Sequence, residues 1–137
     1  MNRKYNKKEF LDKIKKIREC IPDINITTDV ITGFPNETEA DFEECLNFVR
    51  EIGFSKVHTF PYSERTGTAA AKMKNQVPMN IRKERAKKLI ELSDELEFNY
   101  NKNQIGKIFK TLIEEVNDNE SSGHTSTYLK VIVKEKL

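Results

Sequence analysis

The residue best suited to chemistry in this sequence is Asp29. It sits near the end of a β-branched stretch, Ile24 to Thr32, and just ahead of Gly33-Phe34-Pro35-Asn36-Glu37-Thr38. A carboxylate at the end of a buried strand can accept two hydrogen bonds from ribose hydroxyls. It can equally cap a turn or pair with a lysine, and spacing alone favours that plainer role. Ile31 closes the same stretch, Gly33 allows a ligand close to the backbone, and the helix that follows offers its N-terminal amides. A second short stretch, Lys56 to Phe60, runs into Tyr62-Ser63-Glu64-Arg65-Thr66-Gly67-Thr68. Ligands of open α/β sheets and of barrels gather at the carboxyl ends of strands. Asp29, Ile31, Gly33 and Phe60 are therefore expected around one site.

Basic residues form the second candidate. Arg82, Lys83, Arg85, Lys87 and Lys88 fill the first half of a long helical stretch, and Glu91, Asp94, Glu95 and Glu97 its second half. The helix macrodipole prefers the reverse order. The row is either a patch that meets nucleic-acid phosphates, through Arg82, Lys83, Arg85 and Lys87, or a solvated face held by Glu84–Lys88 and Lys87–Glu91 pairs. Arg3 is either an anion ligand or a solvated terminus. His58 reads as an ordinary strand histidine. Cys20 and Cys45 are the only cysteines and stand on apolar helix stripes, as core residues rather than ligands.

The elements that must position these groups follow from periodicity. Phe10, Leu11, Ile14, Ile17 and Ile21 predict a helix over 7–21, opened by an Asn6/Glu9 capping box and ended by Pro22. Ile24 to Thr32 predicts a strand covered on both faces. Thr38 and Asp41 cap a second helix, with an apolar stripe of Phe42, Cys45, Leu46, Val49 and Ile52 and Gly53 after its end. Strand, helix and strand in turn predict a parallel sheet with a right-handed crossover. A long loop, 61–78, leads to a helix over 80–104 whose face is marked by Ala86, Leu89, Ser93, Leu96 and Tyr100. Residues 107–116 and 127–134 predict two antiparallel strands joined by a polar turn, in a small separate domain. The net charge of +2 gives no global basic field, so any nucleic-acid contact must be local. No apolar run is long enough to span a bilayer, and no signal peptide precedes the fold, which predicts a cytoplasmic protein without membrane contact.

Three linked motifs resemble those of the radical S-adenosylmethionine methylthiotransferases. Ile26-Thr27-Thr28-Asp29-Val30-Ile31-Thr32-Gly33-Phe34-Pro35-Asn36-Glu37-Thr38 is similar to their TD-x-I-x-GFPGET segment. Met1-Asn2-Arg3-Lys4-Tyr5 resembles MNR-x-Y. Val57-His58-Thr59-Phe60-Pro61-Tyr62-Ser63, with Arg65 and Gly67-Thr68, resembles H-x-F-x-YS-x-R-x-GT. Order and spacing agree over about residues 1–100. His58 and Pro61-Tyr62-Ser63 look most like the branch acting on threonylcarbamoyladenosine in tRNA, which adds a 2-methylthio group to the adenosine 3′ of the anticodon. The isopentenyladenosine and ribosomal-protein branches are similar. Lys107 to Leu137, with Gly123 and Tyr128, resembles the first half of a TRAM domain, a small RNA-binding β-barrel.

The resemblance implies an α/β fold. Residues 1–104 would be the C-terminal part of a partial parallel (β/α) barrel, and 105–137 a truncated antiparallel TRAM-like domain. It also implies roles. Arg3 would meet the S-adenosylmethionine carboxylate, Asp29 would hold the ribose hydroxyls, and Ile31 and the backbone around Gly33 and Phe60 would line the adenine. The partner would be a tRNA anticodon stem-loop.

Two departures bear on this. Asn36 replaces a glycine of the motif, and asparagine tolerates positive φ. The C-x-x-x-C-x-x-C motif that holds the family's 4Fe-4S cluster is absent. The chain is therefore expected to be a fragment without a cluster and inactive alone, its exposed strand edges inviting homo-oligomers. The rival readings are a stand-alone RNA-binding module and an inactive structural α/β piece.

Overall fold

The structure is a computed structural model and describes residues 3–137. Met1 and Asn2, the first two residues of the MNR-x-Y resemblance, lie outside the described residues. The elements are α1 (Lys7–Cys20), β1 (Thr27–Thr32), α2 (Glu39–Ile52), β2 (Lys56–Pro61), α3 (Met79–Lys102), β3 (Thr111–Val116), β4 (Ser121–Thr125) and β5 (Lys130–Val133). The chain is α/β, with a two-stranded parallel sheet and a three-stranded antiparallel sheet. It divides into two compact units. One holds residues 26–100, the other the residues up to 25 together with 101–137. No helix among the described residues is long and apolar enough to cross a membrane.

Both capping boxes form. Asn6 Oδ1 accepts from the Glu9 amide and Glu9 Oε2 from the Asn6 amide. Thr38 Oγ1 accepts from the Asp41 amide, and Asp41 Oδ2 accepts from the Thr38 amide and hydroxyl. These hydrogen bonds, first from the Thr38 side chain and then from its backbone, hold the Asp41 carboxyl below its usual range.

In the unit of residues 26–100, β1 and β2 run parallel in the register Thr28↔Val57, Asp29↔His58, Val30↔Thr59 and Ile31↔Phe60. The Tyr62 amide donates to the Thr32 carbonyl and extends the ladder. Phe42, Leu46, Val49 and Ile52 of α2, Val57 of β2, and Ala86, Leu89 and Leu92 of α3 are buried and form the core. Ser93 ties α3 to β2. Its Oγ accepts from the Val57 amide at 2.9 Å and donates to the Val57 carbonyl at 3.1 Å.

Three expectations are corrected here. β1 is not covered on both faces: Thr27, Asp29 and Ile31 are exposed while Thr32 is buried. Their β-branched neighbours suited two-sided burial, but among the described residues of this unit the helices bury only one face. Cys20 is exposed rather than in the core, and Cys45 is half-buried. The tail holds three strands, not two. β4, Ser121-Ser122-Gly123-His124-Thr125, lies in the stretch expected to be a turn, and it is held by pairing with β3 on one side and β5 on the other. Its weak intrinsic β preference hid it. Gly123 is required there, because a Cβ would overlap the Leu112 carbonyl oxygen at 1.8 Å.

Candidate functional site

Asp29, Ile31 and Phe60 lie in the second halves or middle of β1 and β2, and Gly33 follows directly after β1. Asp29 and His58 are register partners, as are Ile31 and Phe60, so all four share one face of the sheet. That face is open: Asp29 and His58 are exposed, Ile31 is 36% exposed and Phe60 53%. A carboxylate thus stands one strand step from two apolar side chains. Such a set suits a ligand with a hydroxylated sugar and a flat apolar ring. Arg3 is exposed and belongs to the other unit.

Beyond the strands the backbone turns at Gly33, with φ +71°. A Cβ there would lie 2.5 Å from Arg82 Cγ, so the site needs glycine both for its backbone angle and for close packing. The Gly33 amide is already committed, donating to Glu37 Oε1 at 2.8 Å. Asn36 adopts φ +68°, as its substitution for glycine requires. Its amide donates to the Asn75 carbonyl, and Asn75 Nδ2 donates to Asn36 Oδ1, each at 3.0 Å. Asn75 is itself left-handed, with φ +58°. Phe34 packs edge-on against Tyr62, ring centroids 5.4 Å apart.

The basic row of α3 separates into two kinds of residue. Lys83 and Lys87 are exposed. Arg82 and Arg85 are 4% and 5% exposed, and their guanidinium groups are engaged inside the unit. Arg82 Nε donates to the Val77 carbonyl at 2.6 Å, its Nη1 to the Tyr62 carbonyl at 3.1 Å, and its Nη2 to Glu64 Oε1 at 3.1 Å and Gln76 Oε1 at 3.2 Å. Arg85 donates to the Glu37 carbonyl and carboxylate and to Glu39 Oε2. Burial alone would lower the Arg85 pKa, but hydrogen bonds to Glu39 and Glu37 outweigh it and hold the group above its usual range. Of the four residues expected to meet phosphates, Lys83 and Lys87 face solvent and Arg82 and Arg85 do not. Helical periodicity puts residues 82, 85, 89 and 93 on one stripe, so the inward placement was legible in spacing, but the guanidinium charge argued against it. The Glu84–Lys88 and Lys87–Glu91 pairs form at 3.1 and 3.9 Å.

Among the described residues no group of three or more His, Cys, Asp or Glu is placed to hold a metal ion. In the other unit, the outward face of the antiparallel sheet presents Leu112, His124, Lys130 and Ile132, with Tyr128 stacked on His124 at 4.7 Å. His124 Nδ1 lies 2.7 Å from Glu114 Oε2.

Comparison with known proteins bears on this geometry. The threonylcarbamoyladenosine tRNA methylthiotransferase MtaB of Bacillus subtilis is 42% identical over 139 residues, covering 98% of this chain and 31% of the relative. The chain is related to the radical S-adenosylmethionine tRNA methylthiotransferases. The tRNA-2-methylthio-N(6)-dimethylallyladenosine synthases of Caldicellulosiruptor saccharolyticus and Acetivibrio thermocellus are 45% and 44% identical, over 98% and 91% of this chain and 29% and 27% of the relatives. The chain thus spans about three-tenths of the length of these methylthiotransferases. No protein-family model matches it.

Proposed function

We propose that this chain contributes the adenosine-binding strand ends of a tRNA methylthiotransferase, together with a sheet that meets RNA. In this reading β1 and β2 are strands of a parallel (β/α) barrel, and β3–β5 belong to a TRAM-like module. The observation that carries it is the shared open face of Asp29, Ile31 and Phe60 beside the Gly33 turn. Asp29 would accept hydrogen bonds from the ribose hydroxyls, and Ile31 and Phe60 would pack on the adenine. S-adenosylmethionine, when bound, supplies a reactive sulfonium, and this chain's part is to bind and orient its adenosine end. Two cysteines, one exposed and one half-buried in α2, do not make a three-thiolate cluster site, so no step is assigned to a cluster on this chain.

The substrate we favour is threonylcarbamoyladenosine next to the anticodon of tRNA, on the wording of His58 and Pro61-Tyr62-Ser63. The relatives named for dimethylallyladenosine make that nucleoside the alternative. Lys83 and Lys87, with the Tyr128–His124 stack, would contact the RNA.

The test is an NMR titration of the chain with S-adenosylhomocysteine. Shift changes should centre on the ends of β1 and β2, and Asp29→Ala should weaken binding by about 1–3 kcal/mol, the range for hydrogen bonds to a charged group. Equal affinity in the variant, or perturbation confined to other elements, would retire the assignment.

A further inference from the structure

Arg82 looked from the sequence like a phosphate contact, yet its guanidinium makes four hydrogen bonds inside its unit. Its guanidinium reaches both ends of one loop. The Tyr62 carbonyl and Glu64 lie where the chain leaves β2, and Gln76 and the Val77 carbonyl lie where it enters α3. The same side chain touches the end of the other strand. Its Cβ and Cγ fill the space a Gly33 side chain would need, its backbone carbonyl accepts from Thr32 Oγ1 at 3.3 Å, and its guanidinium lies 5.0 Å from the Tyr62 ring centroid.

We propose that Arg82 is the positioning residue of the candidate cofactor site. It closes the segment from Tyr62 to Val77 into a loop with fixed ends and locks that loop to the Gly33 turn, so that the ends of β1 and β2 keep one relative geometry. Compact loops whose ends meet are frequently functional. The identity of the residue follows from the acceptors. Four oxygens, on Tyr62, Glu64, Gln76 and Val77, need a rigid group with several donors. A lysine ammonium is a compact point donor and cannot span them. An apolar side chain of the same length would leave the Tyr62 and Val77 carbonyls without their bonds. The Asn36–Asn75 pair joins the same loop to the same turn from the other side. The tip between these ties, Ser63 to Ala69, is exposed and carries Arg65, Thr66 and Thr68. What the loop covers rests on the proposed adenosine site; the fastening itself does not.

The experiment compares Arg82→Lys and Arg82→Met in the whole chain. Methionine keeps an apolar stem against Gly33 and loses every donor. Amide hydrogen exchange reads the fastening. Both variants should speed exchange of residues 62–77 and of the Gly33–Asn36 turn by about tenfold or more, while the α2 amides stay within about twofold of wild type. A rise of equal size through α2, or none in the loop, would overturn the proposal, since Arg82 would then be general core support or dispensable. Titration with S-adenosylhomocysteine reads the consequence. Arg82→Met should lower apparent affinity in proportion to the lost fraction of closed loop, about tenfold, without touching the ligand. Undiminished affinity in Arg82→Met, with binding lost in Asp29→Ala, would overturn the positioning role and leave the adenosine site standing. Absence of wild-type binding would retire the adenosine site, and exchange alone would then decide the fastening.

Discussion

Replacing Ser93 with alanine should cost this fold far more than the loss of one hydroxyl suggests. Ser93 lies on α3, 2% exposed, and its Oγ serves both the amide and the carbonyl of Val57, itself 4% exposed. Those two groups face away from β1, so Ser93 stands where the next strand of a sheet would pair. Alanine leaves both without a partner, and water cannot reach them. A buried backbone group without a bond costs about 1–3 kcal/mol, and sparing the hydroxyl its own desolvation returns part of the sum, giving about 2–4 kcal/mol. Against a total stability of about 5–15 kcal/mol that is a large share. Urea denaturation should show a midpoint lowered by roughly 1–2 M with an unchanged slope. Exchange of the Val57 amide should accelerate beyond that of its neighbours. Ser122→Ala, on the outer face of the tail sheet, should change stability by less than about 0.5 kcal/mol and serves as control. A loss under about 1 kcal/mol for Ser93→Ala, or an unaltered Val57 amide, would show that α3 does not seal this edge.

Other outcomes follow from the same geometry. Asp41 is held below its ordinary 3.8 by Thr38, so its contribution is present in full above that value and is lost as pH falls through the lowered one; thermal melts should show Asp41→Asn less stable than wild type at neutral pH, with the gap closing in acid. Lys83→Glu with Lys87→Glu should flatten the salt dependence of tRNA binding, since each phosphate contact adds about 0.7–0.9 to the slope of log affinity against log salt; equal slopes would leave these lysines as a solvated face. Ser93 and α3 cover the outer side of β2 at Val57, whereas β1 has no second strand partner among the described residues, so any self-association should run through the outer edge of β1. Light scattering over a tenfold concentration range should show dimers, and Thr27→Pro, at a position whose amide points away from β2, should abolish them, whereas a monomer throughout would discard the edge as a contact.

The local elements were legible in the chain because their signals are local. Asn6 with Glu9 and Thr38 with Asp41 set the starts of α1 and α2 through bonds made within four residues, and the apolar stripe of α2 became its buried face. Asp29, Ile31 and Phe60 were marked by their places at strand ends, and two-residue periodicity was enough to set them on a common face once the register was known. The middle strand of the tail escaped notice because Ser121 to Thr125 has little preference for extended structure, and only pairing on both sides makes it a strand. The largest revision concerned charge. Sequence alone assigned arginine and lysine in the first half of α3 to the same solvent-facing row. The tertiary structure sends Arg82 and Arg85 inward, where backbone carbonyls and Glu37, Glu39 and Glu64 offset the cost of burying them, and leaves Lys83 and Lys87 outside. Which acceptors stand within reach of a guanidinium depends on residues up to 48 positions away, and that information exists only after the loop, the turn and the helix have come together.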